Sequence, residues 1–174
     1  MFRVAKNNFF RNLLIANAQS CQWMTTPHNL TGNTCDPRYI LNQCCCMGSG
    51  PDDDNLLWHQ AYMAMDKDVA DDYFGNDMCL CEEVPGLDDN YYDYWEITFN
   101  EGSYGVILKQ LTIDGDRFEK IAGRRHNADR WEIIDVADNG SISSKIPWRA
   151  VRILTSNDSA PCILREVEFK YRPV

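Results

Sequence analysis

From Tyr91 onward, apolar and polar residues alternate in short runs. In "YWEITF" Trp95, Ile97 and Phe99 fall on one face and Glu96 and Thr98 on the other, the period of a half-buried strand. "YGVILKQLTIDGD" predicts a second strand ending in the turn Asp114-Gly115-Asp116, and "RWEIIDVADNG" a third, closed by Asn139-Gly140. "WRAVRILTS" sets Val151 and Ile153 against Arg152 and Leu154. "CILREVEFKYRPV" sets Ile163, Val167 and Phe169 against Glu166, Glu168 and Lys170. Short strands at regular spacing, with no helical pattern between them, predict an all-β fold, an antiparallel sandwich or barrel.

The first half reads differently. Residues 1–11, basic and aromatic, form an arm ahead of a domain spanning 12–174, and a strand is predicted over Asn12 to Trp23. Residues 24–90 read as a loop-rich, Cys-rich insertion, because "TTPHNLTGNT", "CDPRY" and "MGSGPDDDN" carry Pro, Gly, Asn and Asp at turn density. A short helix fits Asn55 to Val69, with Asp52, Asp53 and Asp54 favouring its N-terminus.

Composition narrows the function. At 174 residues, 44% hydrophobic, the chain is long enough to bury a core without staples. A formal charge of −9 argues against a nucleic-acid groove, which needs a basic face. No window reaches the roughly 20 apolar residues of a membrane span, and Leu13-Leu14-Ile15-Ala16 is too short for the core of a signal peptide. The expectation is a chain made without a secretory signal. Cys21, Cys35, Cys44, Cys45, Cys46, Cys79, Cys81 and Cys162 make an even set, as in an oxidised framework, yet Leu87 to Ala160 contains none and is rich in apolar strands. Bridges and free buried thiols both remain open.

Two stretches resemble the discoidin (coagulation factor 5/8 type C) family. "YWEITFNEGSYGVILKQLTIDGDR" is similar to the stretch in which a Trp opens an alternating strand and a second strand ends at an Arg. "WRAVRILTSNDSAPCILREVEFKY" is similar to the family's ending, and "NLLIANAQS" to its opening strand. The resemblance covers residues 12–23 and 93–171. It implies a galactose-binding-like jelly roll: two antiparallel sheets, chain ends close together, and ligand loops gathered at one end. Trp95, Ile97, Phe99, Leu111, Ile113, Val151, Ile153, Val167 and Phe169 would then fill the space between sheets. Residues 24–90 exceed the family's usual connection.

Several sites follow as expectations. Fucose-binding members use a His and two Arg; Arg117 and Arg124 share their spacing here, Arg125 stands beside them, and His59 or His28 is the candidate to approach. Arg forks donate to vicinal hydroxyls while an aromatic packs on the sugar's apolar face. The family's paired Cys are absent from "RFEKIAGRRHNADR", where a solvated basic loop is the plainer alternative. Calcium, which the family often holds, points to the oxygen-rich "DKDVADDYFGND" and its Asp71, Asp72 and Asp77. Zinc has soft ligands in Cys44, Cys45, Cys46, Cys79 and Cys81 with His28 and His59, although adjacent Cys do not easily share one ion. Cys21 and Cys162 resemble the family's frequent bridge between its ends. Enzyme chemistry is not expected: His28, His59 and His126 are the only histidines to serve a thiolate, and no nucleotide-binding glycine loop or nucleophile elbow is present.

The expected function is therefore a non-enzymatic binding or adhesion module for a glycan or protein surface, facing outward on a larger particle such as a phage or viral virion. The alternatives are a structural assembly subunit that packs against neighbouring subunits, and an intracellular discoidin-like adaptor, which would be cytoplasmic with reduced thiols.

Overall fold

A computed structural model describes residues 22–26, 38–44, 64–65, 82–116, 118–155 and 163–174. They form nine strands: β1 (Met24–Thr25), β2 (Tyr39–Cys44), β3 (Glu82–Glu83), β4 (Tyr91–Phe99), β5 (Val106–Asp116), β6 (Lys120–Arg124), β7 (Trp131–Ile133), β8 (Ala150–Thr155) and β9 (Ile163–Pro173). One sheet has the order β1-β9-β5 and the other β2-β4-β8-β6-β7, with β3 paired to β4. Every pairing is antiparallel. Apart from one turn of 3-10 helix at Ala64–Met65, the described residues contain no helix, and no helix among them is long and apolar enough to cross a membrane. The all-β expectation stands.

Alternation builds the core. Trp95, Ile97 and Phe99 of β4 and Val151 and Ile153 of β8 point from the larger sheet toward Val106, Leu108 and Leu111 of β5 and Val167, Phe169 and Tyr171 of β9. Trp95 stacks on Phe169 with centroids 6.3 Å apart, and Phe99 meets Phe169 edge-on at 5.6 Å. Such pairs add about 0.5–1.5 kcal/mol to the burial itself. A register shift between Leu108 and Gln110 resets the parity of β5, which is why Leu108 and Leu111 both face inward. A second shift falls at Asp114/Gly115, and Leu164 on the facing strand is buried in the core. Ala64 and Met65, out of the Cys-rich stretch, are also fully buried in this core.

The structure differs from expectation in three places. Residues 39–44, expected within a long loop, form the strand β2 against β4, with Tyr39 buried in the core, Leu41 packed against it and Ile40 outside. Residues 120–124, expected in a loop, form β6 between β7 and β8. The third predicted strand is only Trp131–Ile133, and Asn139-Gly140 closes a turn in which the Gly140 amide donates to the Ala137 carbonyl.

The outer face of the larger sheet is not simply solvated. Tyr92, Tyr94, Ala122, Ala150 and Leu154 are covered by Val84, Leu87 and Trp131 in a second apolar cluster. Arg152 lies within it, its guanidinium carbon 3.7 Å from the Tyr94 ring centre and 4.1 Å from that of Trp131, and it donates through Nε to Glu96 at 2.7 Å. The carboxylate and two π faces offset the cost of burying this charge.

Candidate functional site

Antiparallel pairing sorts the connections to two ends. Tyr39 stands opposite Phe99, Thr98 opposite Ala150, Arg124 opposite both Ala150 and Trp131, and Val106 opposite Pro173. Loops 100–105 and 125–130 therefore share one end with Arg38, Arg149 and the finish of β9. The opposite end gathers Cys44, the start of β4, the finish of β5 and the start of β6.

At the first end one side chain organises a loop. Arg149 donates from Nη1 to the carbonyls of Phe99 (2.7 Å) and Glu101 (3.4 Å), and from Nη2 to those of Gly102 (3.1 Å) and Ser103 (3.0 Å). Its Nε donates to His126 Nδ1 at 3.4 Å. A guanidinium has no acceptor, so Nδ1 must accept and the imidazole proton resides on Nε2. The clamped loop is closed by Gly105, whose φ of 102° favours glycine and whose absent Cβ leaves room for the Trp148 carbonyl. The Tyr104 amide donates to the Val174 carbonyl at 2.9 Å.

This frame presents Tyr104, 61% exposed, with its ring edge-on to that of His126 at 6.2 Å. A large apolar ring held out in solvent by a fixed backbone is a ready stacking surface. Beneath it, Tyr171 donates to Glu101 Oε2 at 2.9 Å and shares a 2.5 Å hydrogen bond with Tyr39, joining the two sheets. Burial, and then the Tyr39 contact, push the Tyr171 hydroxyl far above the ordinary tyrosine range, so it stays a donor.

The neighbouring loop supplies cations. Arg124 lies 5.6 Å from the centre of the Trp131 ring and donates to the Ala128 carbonyl at 3.3 Å. Arg125 forks onto Glu132 at 2.7 and 2.9 Å. Asn127 takes the left-handed conformation, φ 57°, at the loop's tip. The opposite end carries many acidic residues in sequence, and there Asp88 and Glu119 pair with Lys120. There Asp88 accepts from Lys120 and, at 2.6 Å, from Tyr92. Those two bonds, Lys120 first, hold the Asp88 carboxyl down at about 2. Burial and the Asp88 contact push Tyr92 up, while Asp88 and then Tyr92 raise Lys120.

The expected site residues divide accordingly. Arg124 and Arg125 stand at the clamped end. Arg117 lies outside the described residues, and its neighbours Asp116 and Phe118 are at the acidic end, with β6, about 13 Å long, in between. His28, His59, Asp71, Asp72, Asp77, Cys21 and Cys162 lie outside the described residues, as do Cys35, Cys45, Cys46, Cys79 and Cys81; Cys44 ends β2. Among the described residues no group of three or more His, Cys, Asp or Glu is placed to hold a metal ion. Sequence reasoning missed Tyr104 and Arg149 and weighed His126 only as a base. The legible signal was an aromatic framed by glycines in "EGSYGV".

No protein-family model, curated protein or solved structure matches this chain.

Proposed function

We propose that the chain is a non-enzymatic glycan-binding module and that the ligand sits on loops 100–105 and 125–130. The observation that carries this reading is the exposed Tyr104 ring, fixed by the Arg149 clamp beside the His126 imidazole. Saccharide recognition needs an aromatic face for the sugar's C–H surface and donors at its rim. Tyr104 supplies the first; His126 Nε2, the Tyr104 hydroxyl and Arg125 or Arg130 supply the second. A rigid loop lowers the ordering entropy lost on binding. The discoidin-like jelly roll is the finer fold we assign, supported by β1 pairing with β9 and by the gathering of these two loops at one end. Glycan-array binding by the full chain tests the reading: Tyr104→Ala should reduce binding at least about tenfold, a loss of about 1.4 kcal/mol. Unchanged binding refutes the site.

A second reading, an assembly subunit such as a virion component, is favoured by exposed apolar side chains on both outermost strands of the larger sheet, Ile40 (56%) on β2 and Ile133 (48%) on β7. Mass in solution tests it: a multimer that Ile40→Lys dissociates supports assembly, and a monomer at high concentration speaks against it.

A further inference from the structure

This inference rests on the reading of the Tyr104 loops as a glycan site. We infer that the saccharide bound there is acidic, its carboxylate drawn by Arg149 and Arg124, whose charges no carboxylate of the described residues neutralises beside the exposed Tyr104 and His126.

The guanidiniums of this end differ in what they touch. Arg149 directs its donors to four carbonyls and an imidazole nitrogen, all neutral, so the hydrogen bonds fix its position without cancelling its charge. Arg124 likewise meets only a carbonyl and an indole face. Arg125, by contrast, is neutralised by Glu132. Arg149 beside His126, and Arg124 over the Trp131 ring, thus stand at the clamped end with their donors engaged and without an ion pair among the described residues, while the Glu101 carboxylate of the same loop is held by Tyr171. Donors for a carboxylate come from His126 Nε2 and from Arg130, which is exposed at the end of the same loop, lies against Gly86 and has no hydrogen bond or ion pair among the described residues. An Arg fork matches a carboxylate in two parallel bonds.

The net charge of −9 does not oppose this. Screening confines an exposed charge to about 8 Å at physiological salt, whereas nine residues of β4 separate the ends by about 30 Å. A sugar carboxylate at the clamped end feels the local arginines. A polyanion long enough to reach the far end meets its carboxylates, which favours a short acidic saccharide.

Calorimetry on the full chain tests the inference with uronic-acid oligosaccharides against neutral hexose oligosaccharides of the same length. At about 50 mM salt the uronate should bind at least about tenfold more tightly, and that preference should shrink several-fold at about 500 mM. Arg130→Ala should remove most of the preference, weakening the uronate several-fold more than the neutral ligand. Arg165→Ala, which deletes a cation ion-paired with Asp114 near the other end, should leave the preference intact. Equal affinity for the two ligands overturns acid recognition and leaves the glycan site standing, as does a preference weakened equally by both variants. Binding of neither ligand overturns the glycan reading itself and this inference with it.

Discussion

The two ends of the sandwich are built from the same strands and differ in how they treat charge. At the clamped end Arg149 faces backbone carbonyls, its charge is left uncompensated, and an aromatic ring is pushed into solvent. At the acidic end Lys120, Asp88 and Tyr92 satisfy one another, joining the 84–90 loop to β6. Neutral acceptors preserve a cation's field while fixing its position; a carboxylate partner cancels that field. The first arrangement suits a surface that must attract something, the second a surface that must hold itself together.

Four substitutions break or sharpen this contrast. Gly105→Ala should be the most damaging. It forces a Cβ onto a backbone with φ of 102° and against the Trp148 carbonyl, at a cost of about 4 kcal/mol. Chemical denaturation reads that loss, and a change under 1 kcal/mol would mean that the clamped loop is not rigid. Met65→Ala comes next, at about 3 kcal/mol, because the side chain is fully buried in the inter-sheet core. It tests whether the Cys-rich stretch is anchored in the sandwich; a neutral result would detach it.

Arg149→Met keeps the aliphatic stem and removes the fork. A net loss of about 1–2 kcal/mol is expected, since water takes over part of the carbonyl bonding. The telling readout is local: amide exchange at Tyr104 and Gly105 should speed up while that of β4 and β8 does not. The smallest effect belongs to Asp88→Asn at the acidic end. The Asp88 carboxyl is held at about 2 against an ordinary 3.8, so its stabilisation is fully present above pH 4 and lost as pH falls toward 2. The elevated Lys120 contributes below its ordinary 10.5 and loses that contribution only in stronger alkali. Melting temperatures across pH 2–5 should therefore fall more steeply for the parent chain than for Asp88→Asn. Parallel curves would show that the triad contributes nothing.

The sequence revealed the strands whose two faces differ sharply. β4, β8 and most of β9 follow strict alternation, and their inward residues are the expected ones. β6 was hidden because "KIAGR" has one small residue facing outward and a glycine facing in, where the Trp148 ring fills the space a side chain would take. β2 was hidden among turn-forming neighbours. Leu154 was placed on a polar face because a sequence does not show that Val84, Leu87 and Trp131 fold over it. At the site, Arg124 and Arg125 were found through their basic loop. Arg149 was not, since an arginine opening an alternating strand reads as a solvated one until the carbonyls it gathers are seen. Arg117 was paired with Arg124 by spacing alone, and a strand lies between them.

The central claim is that ligand recognition belongs to the clamped end. The most direct measurement is an amide NMR titration of the full chain with a uronic-acid oligosaccharide. The account predicts shifts concentrated in residues 100–105 and 125–130, with 88–92 and 118–120 unmoved. Shifts centred on the acidic end, or spread evenly over both, would contradict it.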